Sequence, residues 1–318
     1  MKPLLGVALI GLLAACDPFG LPSTRALEAG AASMFTTARS YQMKGSYTAA
    51  GVRWNIDMQF AVPDHRHLVA ASPSEQVEAI VIGADAYFRG QAFLAKHLGS
   101  DPLSQSIARV AGNAWWHDTP GLAPSFQDLT SETGLRTNFL GPAVDKRIDH
   151  QQVDGVDTVE LSGRRADVFI DSTPPHRLLR IRLHEGVVVD GIADADFRFS
   201  NVDHDFGIAA PADVINFSNL STLPPIYRVT SIDSSQCGSP CVVSANLKNL
   251  GGTVEARAHS TVTFTMSDPA SKQAVGSCSA MVQADVGYNS STSVSCTINA
   301  KPVNGAVVTA TVENPGRA

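Results

Sequence analysis

Helical and alternating hydrophobic periods follow one another along this chain in blocks. From Thr24, the residues Leu27, Ala31, Met34, Phe35 and Ala38 recur at helical spacing, with Arg25, Glu28 and Arg39 off the stripe, which predicts a helix over 24–39. The period then becomes two. Trp54, Ile56, Met58 and Phe60 share one face while Arg53, Asn55, Asp57 and Gln59 share the other, the pattern of a sheet dry on one side and wet on the other. Tyr41, Met43 and Tyr47 repeat it on the preceding strand, and 67–71, 75–82 and 86–89 extend it as an antiparallel meander. Residues 92–140 change character. Leu103, Ile107 and Val110 follow Pro102 at helical spacing, Phe126 and Leu129 follow Pro124, and 115–117 reads as a brief strand. Strands resume at 156–163, 167–170, 177–184 and 195–200, with Leu179, Ile181 and Leu183 alternating against Arg180, Arg182 and His184.

Past 218–227, where Leu223-Pro224-Pro225 marks a domain boundary, charge thins out. β-Branched runs at 242–247, 260–266, 282–286, 293–298 and 306–312, separated by Gly, Asn, Asp and Ser clusters, predict a sandwich of short strands.

The beginning of the chain changes the setting of all this. Lys2 precedes an uncharged, apolar run over 3–15, which has the layout of a secretory signal and is too short to span a bilayer. The run ends in Leu13-Ala14-Ala15-Cys16, which resembles a bacterial lipobox. That resemblance implies cleavage before Cys16 and lipidation of its thiol, placing the protein on the extracytoplasmic face of a bacterial cell membrane. The organisation expected is a signal over 1–15, a lipidated tether over 16–23, a first domain over 24–222 and a sandwich over 223–318. No later segment reaches the length of a membrane span.

A net charge of -6 with scattered basic residues excludes an electrostatic footprint for nucleic acid. Apart from Cys16, the cysteines are Cys237, Cys241, Cys278 and Cys296. They lack the paired knuckles of a zinc site, and in an exported protein disulfides are expected. Three connectivities are open; Cys237 with Cys241 and Cys278 with Cys296 is the favoured one. His65 and His67 could share a strand face but have no third ligand at metal spacing, and Asp190, Asp194 and Asp196 lack the Gly and Glu of a calcium loop, so neither metal nor cofactor is expected. The local signatures of serine hydrolases, zinc peptidases and phosphate loops do not occur, and no catalytic residue is expected.

The helix over 24–39, the segment Ile80-Val81-Ile82-Gly83-Ala84-Asp85-Ala86-Tyr87, Gly112-Asn113-Ala114-Trp115, Asp154-Gly155-Val156-Asp157, and Phe206-Gly207-Ile208 followed by Ala210-Pro211 together resemble the LolA/LolB-like lipoprotein-carrier fold. The likeness is strongest in style to actinobacterial lipid-binding lipoproteins. Asn249-Leu250-Gly251-Gly252 after a strand is similar to an immunoglobulin-like module. The resemblance implies an α+β fold in which a curved, antiparallel, incomplete β-barrel is closed by helices and followed by a small all-β immunoglobulin-like sandwich. It also implies a hydrophobic ligand, a lipid or lipidated glycan, held between sheet and helices for transfer or presentation. The cavity lining would be Trp54, Ile56, Met58, Phe60, Leu179, Ile181, Leu183, Met34 and Phe35. Small residues of the helix (Ala29, Gly30, Ala31, Ala32) would leave room for an acyl chain. The other expectation is a structural or interaction lipoprotein without a cavity, meeting an envelope protein through its sandwich.

Overall fold

The computed structural model describes residues 20–301 and 304–317, so the leader and Leu13-Ala14-Ala15-Cys16 lie outside the described residues. In chain order come helix α1 (Thr24–Thr37), strands β1 (Ser40–Ala49), β2 (Val52–Ala61), β3 (His65–Ala71), β4 (Gln76–Ile82) and β5 (Asp85–Arg89), helices α2 (Gln91–Leu98) and α3 (Pro102–Ala111), and strand β6 (Trp115–Asp118). Short helices α4 (Gln127–Thr130) and α5 (Glu132–Asn138) precede β7 (Val144–Val153), β8 (Val156–Gly163), β9 (Ala166–Asp171), β10 (Leu178–Leu183), β11 (Ala193–Ser200) and the two-residue β12 (Val214–Ile215). Six strands follow: β13 (Tyr227–Asp233), β14 (Cys241–Asn249), β15 (Thr261–Ser267), β16 (Ala274–Met281), β17 (Ser291–Ile298) and β18 (Val307–Glu313).

These strands correct the expected α+β barrel. Strand accounts for 45% and helix for 18% of the structure, and among the described residues there is no closed barrel. A 12-stranded mixed sheet instead runs β12-β6-β5-β4-β3-β2-β1-β11-β10-β9-β8-β7. The reason lies in β1, which pairs with β2 on one side and with β11 on the other, joining both blocks of strands into one ladder. The ladder ends in β12 and β7, which do not pair with each other. At one end β12 pairs parallel to β6, after the long connection that a parallel pair requires.

The chain divides into two compact units. The first takes in the described residues up to Val62 together with Ala123–Gly207; the second takes in Pro63–Leu122 and the described residues from Ile208 onward. In the first unit, α1 starts at an N-cap, Ser23, whose hydroxyl accepts from the Ala26 amide, and it lies over β9 and β10 and against α5. In the second unit, α2 and α3 pack together, with Leu94, Ala108, Val110 and Ala111 buried alongside Phe88 and Trp116 of the sheet.

Also in the second unit, β13-β14-β17 and β16-β15-β18 form two three-stranded sheets around a shared core of Tyr227, Val243, Leu247, Val262, Phe264 and Met266. Disulfides join Cys237 to Cys241 and Cys278 to Cys296, the latter linking β16 of one sheet to β17 of the other. The proline-rich segment 218–227 is not a loose linker: Leu223 and Ile226 are buried, with Pro224 and Pro225. Gly251 and Gly252 allow this, since a β-carbon there would stand 2.1 Å from the Pro224 carbonyl oxygen and 1.9 Å from that of Ser221. Asn249, fully buried, satisfies its whole amide at this point. Its Oδ1 accepts from the amides of Ile226 (2.9 Å) and Gly251 (3.0 Å), and its Nδ2 donates to the carbonyls of Gly252 (2.9 Å) and Val286 (2.6 Å). Asn249→Asp would turn two donors toward carbonyls into acceptors. It is expected to cost at least about 2 kcal/mol, read as a lower urea midpoint at unchanged slope.

Candidate functional site

The dry face of the first unit is where a ligand between sheet and helices would have to sit. The register builds that face as read from the sequence. Met43 stands opposite Met58 and Phe199, and Ile181 opposite Phe197 and Val168. Ile56, Met58, Ile181, Leu183 and Met34 are buried on it, whereas Trp54, Phe60, Leu179 and Phe35 are half-buried. Leu179 is displaced by a register shift between Leu178 and Arg180, so that Leu178 takes the buried position instead.

Side chains occupy the space above this face. Phe35 meets Tyr41 and Phe199 edge-on at 5.4 and 5.9 Å, and Tyr41 stacks on Phe60 at 4.5 Å. Phe126, from the segment before α4, stands edge-on to Tyr47 (5.2 Å) and Phe197 (5.5 Å). Leu129, Leu135, Phe139 and Leu140 are buried in the same unit. Burial pushes the Tyr47 phenol up to about 12, so that ring stays neutral.

Helix α1 packs at close range on the turn between β9 and β10. A β-carbon on Gly30 would meet the Pro175 carbonyl oxygen at 2.2 Å and the His176 β-carbon at 2.7 Å. Ala31 and Ala32 have no exposed surface. Gly30 therefore serves close approach, Ala31 and Ala32 are packed inside, and Ala29 is exposed. The cavity bordered by Gly30, Ser33, Met34, Pro175 and Arg177 holds about 80 Å³, well under the roughly 300 Å³ at which small-molecule sites begin.

On the wet face of the same unit, charges are laddered in pairs. Asp167, buried on β9, accepts from Ser162 Oγ (2.7 Å) and Arg182 Nη2 (2.6 Å) and pairs with His184 Nε2 (2.8 Å). Burial raises its carboxyl, but the bonds from Arg182, Ser162 and His184 outweigh that and hold it below the ordinary aspartate value. Neighbouring Glu160 is raised, first by burial and then by the charge of Asp167. Arg180 pairs with Asp196 through two nitrogens, and the Arg180 and Arg182 guanidiniums lie over Phe169 at 5.4 and 5.9 Å.

An open concavity of about 330 Å³ lies on the wet face of the first unit, beside Lys44, Ser46, Asn55, Asp196 and Arg198, and two larger ones lie in the second unit. One, of about 580 Å³, runs between the start of α3 and the edge strands β13 and β18, lined by Asp101, Leu103, Ser106, Ile226, Arg228, Val229, Ala310 and Val312 among others. Leu103 is 40% exposed there. The walls of this groove are fixed. Asn314, buried, accepts from the Tyr227 amide (2.9 Å) and donates to the Tyr227 carbonyl (3.1 Å), as a strand partner would. At the end of α3, the Arg317 amide donates to the Val110 carbonyl at 3.1 Å. Gly316 packs so closely on Arg109 and Val110 that a β-carbon would lie 2.6 Å from the Arg109 carbonyl oxygen. A second concavity, of about 690 Å³ and polar, opens where β4, β5 and α2 meet. Neither groove was singled out by sequence reasoning. The signal available was Asp101-Pro102, an N-cap followed by proline at the first helical position, which fixes where α3 and its groove wall begin.

No family model matches this chain, and no curated protein matches it. Among solved structures it is similar to MucB, from a crystal structure of MucB in complex with MucA(peri), at 12% identity over 93% of this chain and 99% of that one, with a TM-score of 0.28. It is also similar to a DUF1329 family protein from Desulfovibrio piger ATCC 29098, at 12% identity over 58% and 95% of the two chains, with a TM-score of 0.21.

Two variants test the site. Gly30→Val should lower stability by about 1–3 kcal/mol through overpacking against 175–176, read by urea denaturation. Asp167→Asn should cost about 2 kcal/mol at neutral pH through weakened charge-assisted bonds. Because the folded-state carboxyl lies below its unfolded value, its stabilisation is complete above the ordinary aspartate range and vanishes as pH falls through the folded value. The gap between Asp167→Asn and the unsubstituted protein should therefore close below about pH 4, read from midpoints across a pH series.

Proposed function

We propose that this chain is an extracytoplasmic lipoprotein that works by binding, anchored through Cys16, and that it meets an envelope protein through the groove between α3 and strands β13 and β18. The observation that carries this reading is one of available space. The groove offers about 580 Å³ with a partly exposed leucine and a mixed apolar and polar lining, whereas the void beside α1 offers about 80 Å³. An acyl chain between sheet and helices would have to displace Phe126, Phe35 and their aromatic partners first. Export is supported by the leader-like run before Cys16 and by the two disulfides. A binding role rather than catalysis is supported by the pairing of Asp167, Asp196 and Glu78 with cations on sheet faces.

The anchor is tested by labelled palmitate: incorporation should be abolished in Cys16→Ala, and labelling that persists would remove the lipidation reading. The groove is tested with a photo-crosslinking residue at Leu103 and, as control, at Val188, which is 60% exposed outside it. A discrete product from position 103 and none from 188 is expected in intact cells. No product at 103, or the same product from both positions, would overturn the groove.

A further inference from the structure

The polar groove of the second unit carries an inference beyond the reading above and independent of it. It is walled by the 72–75 turn after β3, the start of β4, the end of β5 and the first residues of α2, with Asn113 at its rim; at about 690 Å³ it lies within the range of small-molecule sites. Its floor is built by backbone held against backbone, which residue 90 permits because it is glycine. At φ 140°, a β-carbon there would stand 2.4 Å from the Gln76 carbonyl oxygen.

The charges in this groove already have partners. Glu75, with a side chain only 5% exposed, is paired with Lys96. Glu78 is bonded to His67 Nε2 (2.7 Å) and Arg89 Nε (2.6 Å), and the Arg89 guanidinium is held over the Trp115 ring at 4.7 Å. An ionic ligand would thus find no free counter-charge and would have to break a pair that leaves a carboxylate partly desolvated. What remains to offer a ligand is neutral and directional: the Ser74 hydroxyl, the Ser72 hydroxyl as an acceptor since it donates to the Glu75 carbonyl (3.3 Å), and the carboxamides of Gln76, Gln91 and Asn113. Asn113 Oδ1 accepts from the Gln91 amide at 3.2 Å, standing in for the cap that Gly90 cannot supply, which leaves its Nδ2 as a donor. Carboxylates fixed by cations accept hydrogen bonds from vicinal hydroxyls without needing a charged ligand.

From this chemistry we propose that the groove formed by 72–78, 89–92 and Asn113 binds a neutral saccharide. The test is calorimetric titration of the full-length protein with tetra-N-acetylchitotetraose and maltotetraose, and with glucose 6-phosphate and spermidine as charged probes. At least one neutral oligosaccharide should bind with a Kd below about 1 mM, and Asn113→Ala and Gln91→Ala should each weaken it about tenfold. Both positions are exposed, and thermal unfolding of each variant checks that the fold is kept. Absence of heat from both neutral oligosaccharides, binding untouched by either folded variant, or uptake of a charged probe alone would each overturn the proposal.

Discussion

Helix α1 approaches the 175–176 turn so closely that even one added carbon on Gly30 would overlap the Pro175 carbonyl. That approach holds α1 against the turn between β9 and β10. Aromatic rings from α1, from the 123–140 segment and from β1, β2 and β11 meet in edge-on and stacked pairs over the dry face. A face of this composition is apolar whether it holds a ligand or its own side chains; what covers it decides between them. Here it decides for side chains.

The second unit is organised by two buried carboxamides and by glycines at points of backbone contact. Asn249 fixes the 223–226 segment, and Asn314 supplies the edge of β13 with the pairing that a strand would have given. Gly316 and Arg317 tie the end of the chain to α3. Because these contacts hold backbone to backbone, the concavities beside them are walled by fixed elements rather than loose loops. Such preformed walls reduce the ordering cost of binding. The polar groove shares this character, since Gly90 and Asn113 fix the start of α2 against β4.

Much of the local structure was legible in the sequence. The stripe Trp54, Ile56, Met58, Phe60 and its partners Tyr41, Met43 and Tyr47 fall on one face because period-two alternation survives pairing intact. Leu179 did not follow its pattern, because a one-residue shift in β10 reverses the sides of all residues before it, and nothing in a run of leucines and arginines marks such a shift. The small residues 29–32 were ambiguous for another reason: glycine and alanine suit both an empty space and a close contact. The expected antiparallel, incomplete barrel closed by helices gave way to a 12-stranded mixed sheet because the pairings of β1 with β11 and of β12 with β6 join strands far apart in the chain, and periodicity carries no such information. The grooves were illegible for the same reason, being assembled from 101–106 with 226–229 and 310–314, or from 71–78 with 89–92 and Asn113.

The most direct test of a first unit filled by its own side chains is amide hydrogen exchange of the full-length protein, with and without dioleoylphosphatidylglycerol bicelles. Protection over 24–37 and 52–61 should be the same in both, because no acyl chain enters between α1 and the sheet. A lipid-dependent change confined to those two segments would show that the layer opens to admit a chain, and would contradict the account.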